Sequence, residues 1–295
     1  MKKQFIVLFS LLTIAISASA QKEYKLTKAS GHLTLNVPGA IIEGYAGNEI
    51  IFSSPKVEKE EVDERAKGLR AISASGFVDN TGLGLDVSEK GDEVTVNTVG
   101  RDRDRTAILT IKVPQNIKIS FTNKSSTYQS EIILKNLKNE LDVSVSYNKI
   151  KLENNTGPMN IKTLYGSIDA IFAGEIKGPV SIVSVYGYVD VSLPLATKAN
   201  VELSTSYGKL YAAEGFKIEI DPAAKEKTTE KRINTDRGDQ YVDFSTTINN
   251  AVSSAMSTVN SNFNRNSDSI KGKINGGGAD MILKSSYKNV YLRDK

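Results

Sequence analysis

One phrase is written four times between Leu141 and Ala212: alternating apolar residues, a tyrosine, a glycine or asparagine, and alternation again. The tyrosines are Tyr147, Tyr165, Tyr186 and Tyr207, spaced 18, 21 and 21 residues apart, and a fifth copy surrounds Tyr287. Aligned on the tyrosine, four columns are apolar in every copy. Six residues before it stand Leu141, Met159, Val180, Val201 and Met281, and four before it Val143, Ile161, Ile182, Leu203 and Leu283. Three residues after it come Ile150, Ile168, Val189, Leu210 and Val290, and five after it Leu152, Ala170, Val191, Ala212 and Leu292. A period of two on both sides of a corner means two half-buried strands per copy.

Two short strands cannot close a core alone. Stacked on identical neighbours they can, because each inward column meets the same column one coil away. The spacing therefore predicts an all-β fold, an extended solenoid of stacked coils, read as right-handed. Gly166, Gly187 and Gly208, with Asn148 in the same column, are expected to bend the corner through a positive φ. Lys288 takes that place in the fifth copy, whose corner is then differently built or strained. Two residues before the tyrosine, Val145, Thr163, Ser184, Thr205 and Ser285 form a column of small residues, read as facing inward where bulk does not fit.

Residues 1–20 read as a leader: Lys2 and Lys3, an apolar run from Phe5 to Ile16, and the cleavage signature Ala18-Ser19-Ala20. The run is too short for a convincing membrane span, and no second one follows in the mature chain. Cleavage after Ala20 predicts export to the periplasm or beyond. With no cysteine in the sequence, neither a lipoprotein anchor nor disulfides are expected. Net charge is +4, from 38 basic and 34 acidic residues, with no basic cluster after Lys3. That balance argues against a nucleic-acid partner.

Residues 21–125 read as a β-rich part continuous with the solenoid, with short strands punctuated by glycines. Residues 55–70 are highly charged, as a short helix or exposed loop would be. Arg101-Asp102-Arg103-Asp104-Arg105 reads as a self-neutralising hairpin tip. The solenoid proper is placed at 126–295, where Tyr128 opens an irregular first copy and residues 221–276 interrupt the repeat. Within that insertion Tyr241–Phe244 suits a short strand. Residues 246–264 alternate at helical spacing in a background of poor helix propensity, so helix and loop both stand. Gly276-Gly277-Gly278 then turns the chain back into the final coil, expected to be the last of the stack.

Several turn-and-strand pieces carry a resemblance: Glu43-Gly44-Tyr45-Ala46-Gly47-Asn48-Glu49-Ile50, Asp79-Asn80-Thr81-Gly82-Leu83-Gly84-Leu85, Val113-Pro114-Gln115-Asn116, and Ile274-Asn275-Gly276-Gly277-Gly278 before the last tyrosine copy. Together with the leader they resemble the bacterial envelope "putative adhesin" family, a domain of unknown function similar to auto-transporter adhesin heads. The resemblance spans nearly the whole mature chain. It implies a β-solenoid and transfers no active-site residues.

The chemistry-bearing candidates are few. His32 is the sole histidine and cysteine is absent, which leaves no histidine-based triad and no ordinary zinc site. No phosphate-binding glycine loop occurs, so no cofactor and no metal are expected. Four residues after the tyrosine, Lys151, Asp169, Asp190 and Tyr211 form an outward column. Asp169 and Asp190 on adjacent coils would be a carboxylate pair suited to a retaining glycosidase or to calcium, or a plain surface ladder screened by Lys151. Tyr147, Tyr165, Tyr186 and Tyr207 would make either a platform for sugar rings or a structural stack. Arg237-Gly238-Asp239 is the tripeptide of animal adhesion receptors, a coincidence expected in a charged loop.

These readings favour an exported, non-catalytic protein that presents an extended surface for adhesion, binding or envelope structure, with an envelope glycan or a surface protein as partner. A polysaccharide-acting enzyme using Asp169 and Asp190 is the first alternative. A soluble accessory or sensor in envelope signalling is the second.

Overall fold

The computed structural model describes residues 22–54, 64–100, 109–127, 129–221 and 268–295. The leader, Arg101–Arg105, Tyr128, Tyr241–Phe244, the 246–264 stretch and Arg237-Gly238-Asp239 lie outside the described residues, as does most of 55–70. The described part is built almost wholly of strands, and its one helical element is the single 3-10 turn Glu64–Ala66. Among the described residues no helix is long and apolar enough to cross a membrane.

Each tyrosine copy contributes one strand to each of two sheets. The strands before the tyrosines are β10 (Leu141–Val145), β12 (Met159–Thr163), β14 (Val180–Ser184), β16 (Ala199–Thr205) and β20 (Ala279–Ser285). Those after it are β11 (Ile150–Glu153), β13 (Ile168–Ile171), β15 (Val189–Leu193), β17 (Leu210–Ala212) and β21 (Val290–Asp294). The repeat register is kept to the residue: Met159 pairs with Val180, Ile161 with Ile182, and Ile168 with Val189, all in parallel. This is the coil stacking that the sequence period demands.

The order of coils in space departs from the order in sequence. Strand β20 lies between β14 and β16, pairing Val180 with Met281 and Val201 with Met281. Likewise β21 lies between β15 and β17. The last copy in the sequence is therefore the penultimate coil, wedged between the third and fourth, and does not close the stack.

The same device operates at the other end. Strands β2 (Ser30–Asn36) and β3 (Ala40–Tyr45) form the first coil of the chain. They sit between the coil of β6 (Glu93–Thr98) and β7 (Thr110–Pro114) and that of β8 (Asn116–Asn123) and β9 (Ile132–Lys135). Both sheets thus run unbroken from these strands into the tyrosine coils, with β8 on β10 and β9 on β11. Antiparallel strands flank the parallel stack. In one sheet, here sheet A, β4 (Glu49–Ser54) and β1 (Lys22–Thr27) follow β7; in the other, sheet B, β5 (Leu85–Lys90) follows β6. At the far end β19 (Asp268–Ile274) and β18 (Ile218–Ile220) extend sheet B beyond β16, while sheet A ends on β17.

The core is the space between the two sheets. The four apolar columns are buried in every copy but one: in β17, Leu210 is half-buried and Ala212 is exposed. The reason is topological. Strand β17 is the outermost rung of sheet A, so its inward column has a neighbouring coil on one side only. Elsewhere Phe52, Phe121 and Phe172 are the largest fully buried side chains.

The corners overturn one expectation. Gly166, Gly187 and Gly208 are not among the residues with positive φ, and neither are Asn148 and Lys288. What demands glycine is the next coil: a Cβ on Gly187 would lie 2.0 Å from the Gly166 carbonyl oxygen, and one on Gly208 2.1 Å from that of Lys288. The corner is a place of close backbone approach.

Candidate functional site

The repeat places three polar or aromatic columns on the outside, and each is a candidate surface. The first is the tyrosine corner. Rings of Tyr147, Tyr165, Tyr186, Tyr287 and Tyr207 stack in that order, with centroids 4.6, 4.8, 4.7 and 5.0 Å apart and planes within 14° of parallel. Coil spacing of roughly 4.8 Å sets this distance. Since ring stacks upon ring, the faces are spent on one another and the edges and hydroxyls meet solvent. A sugar platform needs open faces, and Tyr207, 74% exposed at the end of the stack, has one. Packing against Tyr287 and Tyr165 raises the Tyr186 phenol above its usual value: the Tyr287 phenol beside it is the largest cause, then burial, then Tyr165.

The small column beneath the corner does more than leave room. The Ser184 hydroxyl donates to the Gly166 carbonyl at 2.7 Å and accepts the Gly187 N–H at 2.9 Å. Ser285 donates to Gly187 O and accepts from Lys288 N, and Thr205 donates to Lys288 O and accepts from Gly208 N. Each hydroxyl thus holds its own corner and clips it to the coil below. Lys288 takes its place in this relay without a left-handed φ.

The second column lies on the outer face of sheet A. Asp169 and Asp190 are direct neighbours in register, and Tyr291 and Tyr211 continue the row. Each carboxylate is engaged. Lys149 reaches Asp169 at 3.2 Å, and the Tyr188 hydroxyl donates to it at 3.3 Å. Arg293 grips both oxygens of Asp190 through Nε at 2.8 and 2.9 Å, and lies over the Tyr291 ring at 5.1 Å. Lys151 screens Glu153 at 2.8 Å, not Asp169 as expected. A lysine in a strand reaches along its own row as readily as across to the next, and Glu153 lies two residues ahead on the same face. Hydrogen bonding and charge from Asp169 raise the Lys149 ammonium above its ordinary value, and Asp190 does the same for the Arg293 guanidinium. The Tyr188 phenol is raised too, by burial first and the Asp169 charge second. Among the described residues no group of three acidic or histidine side chains could hold a metal ion.

The third surface, on the outer face of sheet B, is one that sequence reasoning missed. A hollow of about 660 Å³ runs across the strands, lined by His32, Ser120, Asp142, Asn160, Ser181 and Asp280 among others. A second, of about 600 Å³, continues past Asp280 and Ile282 towards Glu202 and Lys271. The signal was present seven and five residues before each tyrosine. There Glu140, Pro158, Pro179, Asn200 and Asp280 form one column, and Asp142, Asn160, Ser181, Glu202 and Ile282 the other. His32 joins this face by hydrogen bonding to Ser120 at 2.7 Å. In the trough, Asn160 donates to Asp142 and Asn200 to Asp280, each at 2.9 Å.

The quoted turn motifs prove to be architectural. The Asp79 carboxylate accepts the N–H groups of Thr81, Gly82 and Gly84. Burial pushes this carboxyl up, but those donors and the Thr81 hydroxyl outweigh it and hold it below its ordinary 3.8. Tyr45 donates its hydroxyl to the Glu49 carbonyl, closing the turn at Gly47.

No curated protein matches the chain. A solved structure described as a "putative cell adhesion protein" from Clostridium sporogenes ATCC 15579 is similar over 93% of this chain and 100% of its own, at 12% identity and a TM-score of 0.39. Residues 120–247 match the family described as Toastrack DUF4097, so the centre of this chain, from β8 through the first four tyrosine copies, is similar to an adhesin-like β-solenoid domain of unknown function.

Proposed function

We propose that the protein is an exported, non-catalytic binding protein of the cell envelope, which uses its outer sheet faces to hold an extended partner. The observation that carries this reading is the regularity of those faces: among the described residues, parallel strands stack in register coil after coil, in sheets of ten and eleven strands that hold their outward side chains in straight rows. A surface with translational repetition suits a partner that repeats. The family match to an adhesin-like domain supports the same class. Against the enzyme alternative stands the engagement of Asp169 and Asp190, each neutralised by its own cation. A carboxylate already held by Lys149 or Arg293 is not open to a glycosidic oxygen.

Two measurements test this. Mass spectrometry of the protein from cell fractions should find Gln21 at its amino terminus outside the cytoplasm; an intact Met1 in the cytoplasm would remove the exported part of the reading. Beads carrying the mature chain should retain fragments of the cell envelope without shortening their glycans, and Asp169→Asn/Asp190→Asn beads should do so equally. New reducing ends that vanish in the double variant would establish the polysaccharide-acting enzyme in its place.

A further inference from the structure

The two hollows on sheet B share Asp280 and Ile282, and together form one trough across the strands from β2 to β18. We propose that this trough is a binding site for a linear, hydroxyl-rich glycan without anionic groups, laid along the solenoid axis. The inference rests on the binding reading above, and gives it a face and a ligand class.

The backbone decides the kind of ligand. Strands β8, β10, β12, β14 and β20 form the middle of the trough, and each is paired on both sides. Their N–H and C=O groups are spent in the ladders, so nothing remains for the strand addition by which extended peptides commonly bind at sheet edges. Recognition must come from side chains alone. It therefore favours a polymer whose hydrogen-bonding groups lie on its periphery, as sugar hydroxyls do.

The lining matches. Ser120, Asn160 and Ser181 are short, neutral donors and acceptors, while Pro158, Pro179 and Ile282 supply apolar patches for the C–H faces of sugar rings. Orienting polar groups over an apolar floor are the common composition of a ligand site. Adjacent coils present this lining at the strand spacing of roughly 4.8 Å, so successive units of a linear polymer each meet side chains of the trough.

Charge narrows the class further. Lys118 is taken by Glu140 at 2.8 Å, and Lys271 by Glu202 at 3.0 Å. Asp142 and Asp280 hold asparagine amides and, among the described residues, no cation. The middle of the trough is negative on a chain whose formal net charge is +4. A polyanionic glycan meets repulsion there, and a neutral one finds two strong acceptors.

The test is titration calorimetry of the mature chain with hexasaccharides: β-linked glucose, N-acetylglucosamine, and galacturonate as the anionic arm. A lysine-rich peptide is the fourth arm. A neutral hexamer should bind, and its disaccharide about tenfold or more weaker, because fewer coils are engaged. Ser181→Trp, which fills the middle, should weaken the hexamer by about tenfold or more. If that variant does not fold, Asp142→Ala/Asp280→Ala, which changes two exposed residues of the trough, serves in its place and should also weaken binding. Asp142→Lys/Asp280→Lys should shift preference towards galacturonate. The proposal falls if wild type prefers galacturonate or the peptide, if no neutral hexamer binds, or if the folded trough variants bind like wild type. Envelope retention by wild-type and Ser181→Trp beads alike would sink the trough and leave the binding reading standing.

Discussion

Ser184 shows how much one small residue decides. Its hydroxyl satisfies a corner N–H and the carbonyl of the adjacent coil, and it is fully buried. Ser184→Ala should leave both backbone groups without that partner, at about 1–3 kcal/mol, whereas Ser184→Thr should be tolerated because Thr163 and Thr205 fill the same column. Urea denaturation distinguishes them; equal midpoints for wild type and Ser184→Ala would refute the relay. Gly187→Ala should destabilise through a clash with the Gly166 carbonyl, not through φ. The apolar columns give a matching contrast. Ile182→Ala, in the core, should cost about 2–5 kcal/mol, and Lys162→Ala, facing outward, under ~0.5 kcal/mol. At this scale the sequence disclosed which positions face in, through period two. It hid why the corner is glycine, because the atom that forbids a Cβ belongs to another coil, 21 positions away for Gly187 and 80 for Gly208.

At the scale of the strand, the wedged coil of β20 and β21 is the controlling element. It pairs with a coil on either side, so it couples β14 and β15 to β16 and β17. Stability in a stacked fold is a sum of nearest-neighbour interfaces, and removing one rung opens two of them. Leu283→Asp, which buries a carboxylate in that rung, should therefore abolish amide-exchange protection in β16, β17 and β19 and weaken β14, while β2, β8 and β10 stay protected. Uniform loss along the chain would mean the stack melts as one unit. Outward elements should matter far less. Breaking the Arg293–Asp190 pair by Asp190→Asn should change stability by about 0–1 kcal/mol, as for other surface ion pairs. The alternating pattern marks β20 as one more coil but says nothing of where it inserts, because all copies carry the same columns and any two could stack. Only the full set of packing partners selects that slot.

The whole molecule is a parallel stack whose first and last coils in sequence are each tucked one place inside it, with antiparallel strands flanking both ends. Closing it requires contacts between strands as far apart as β14 and β20, so folding should be slow for the size of the chain. Acid should weaken it in a defined window. Glu202 is pushed up by burial but held below its ordinary 4.5 by Lys284 and Lys271, and Glu153 is lowered by Lys151 and Lys135. Asp79 is depressed by its backbone donors. A carboxylate whose folded pKa lies below its unfolded one contributes stability above the unfolded value and loses it as pH falls through the folded value. Urea midpoints should therefore be flat above about pH 4.5 and fall below it; a fall beginning near neutrality would point to other groups. By itself the sequence determined the element type, the two strands per copy, the inward columns and the stacking of the tyrosines, because all of these follow from a period repeated in one chain. Tertiary structure decided the rest: the coil order, the partners of Asp169 and Asp190, and the trough on sheet B. Those depend on which copies become neighbours, a choice made by the total packing of identical columns and by residues distant in sequence, which no local period records.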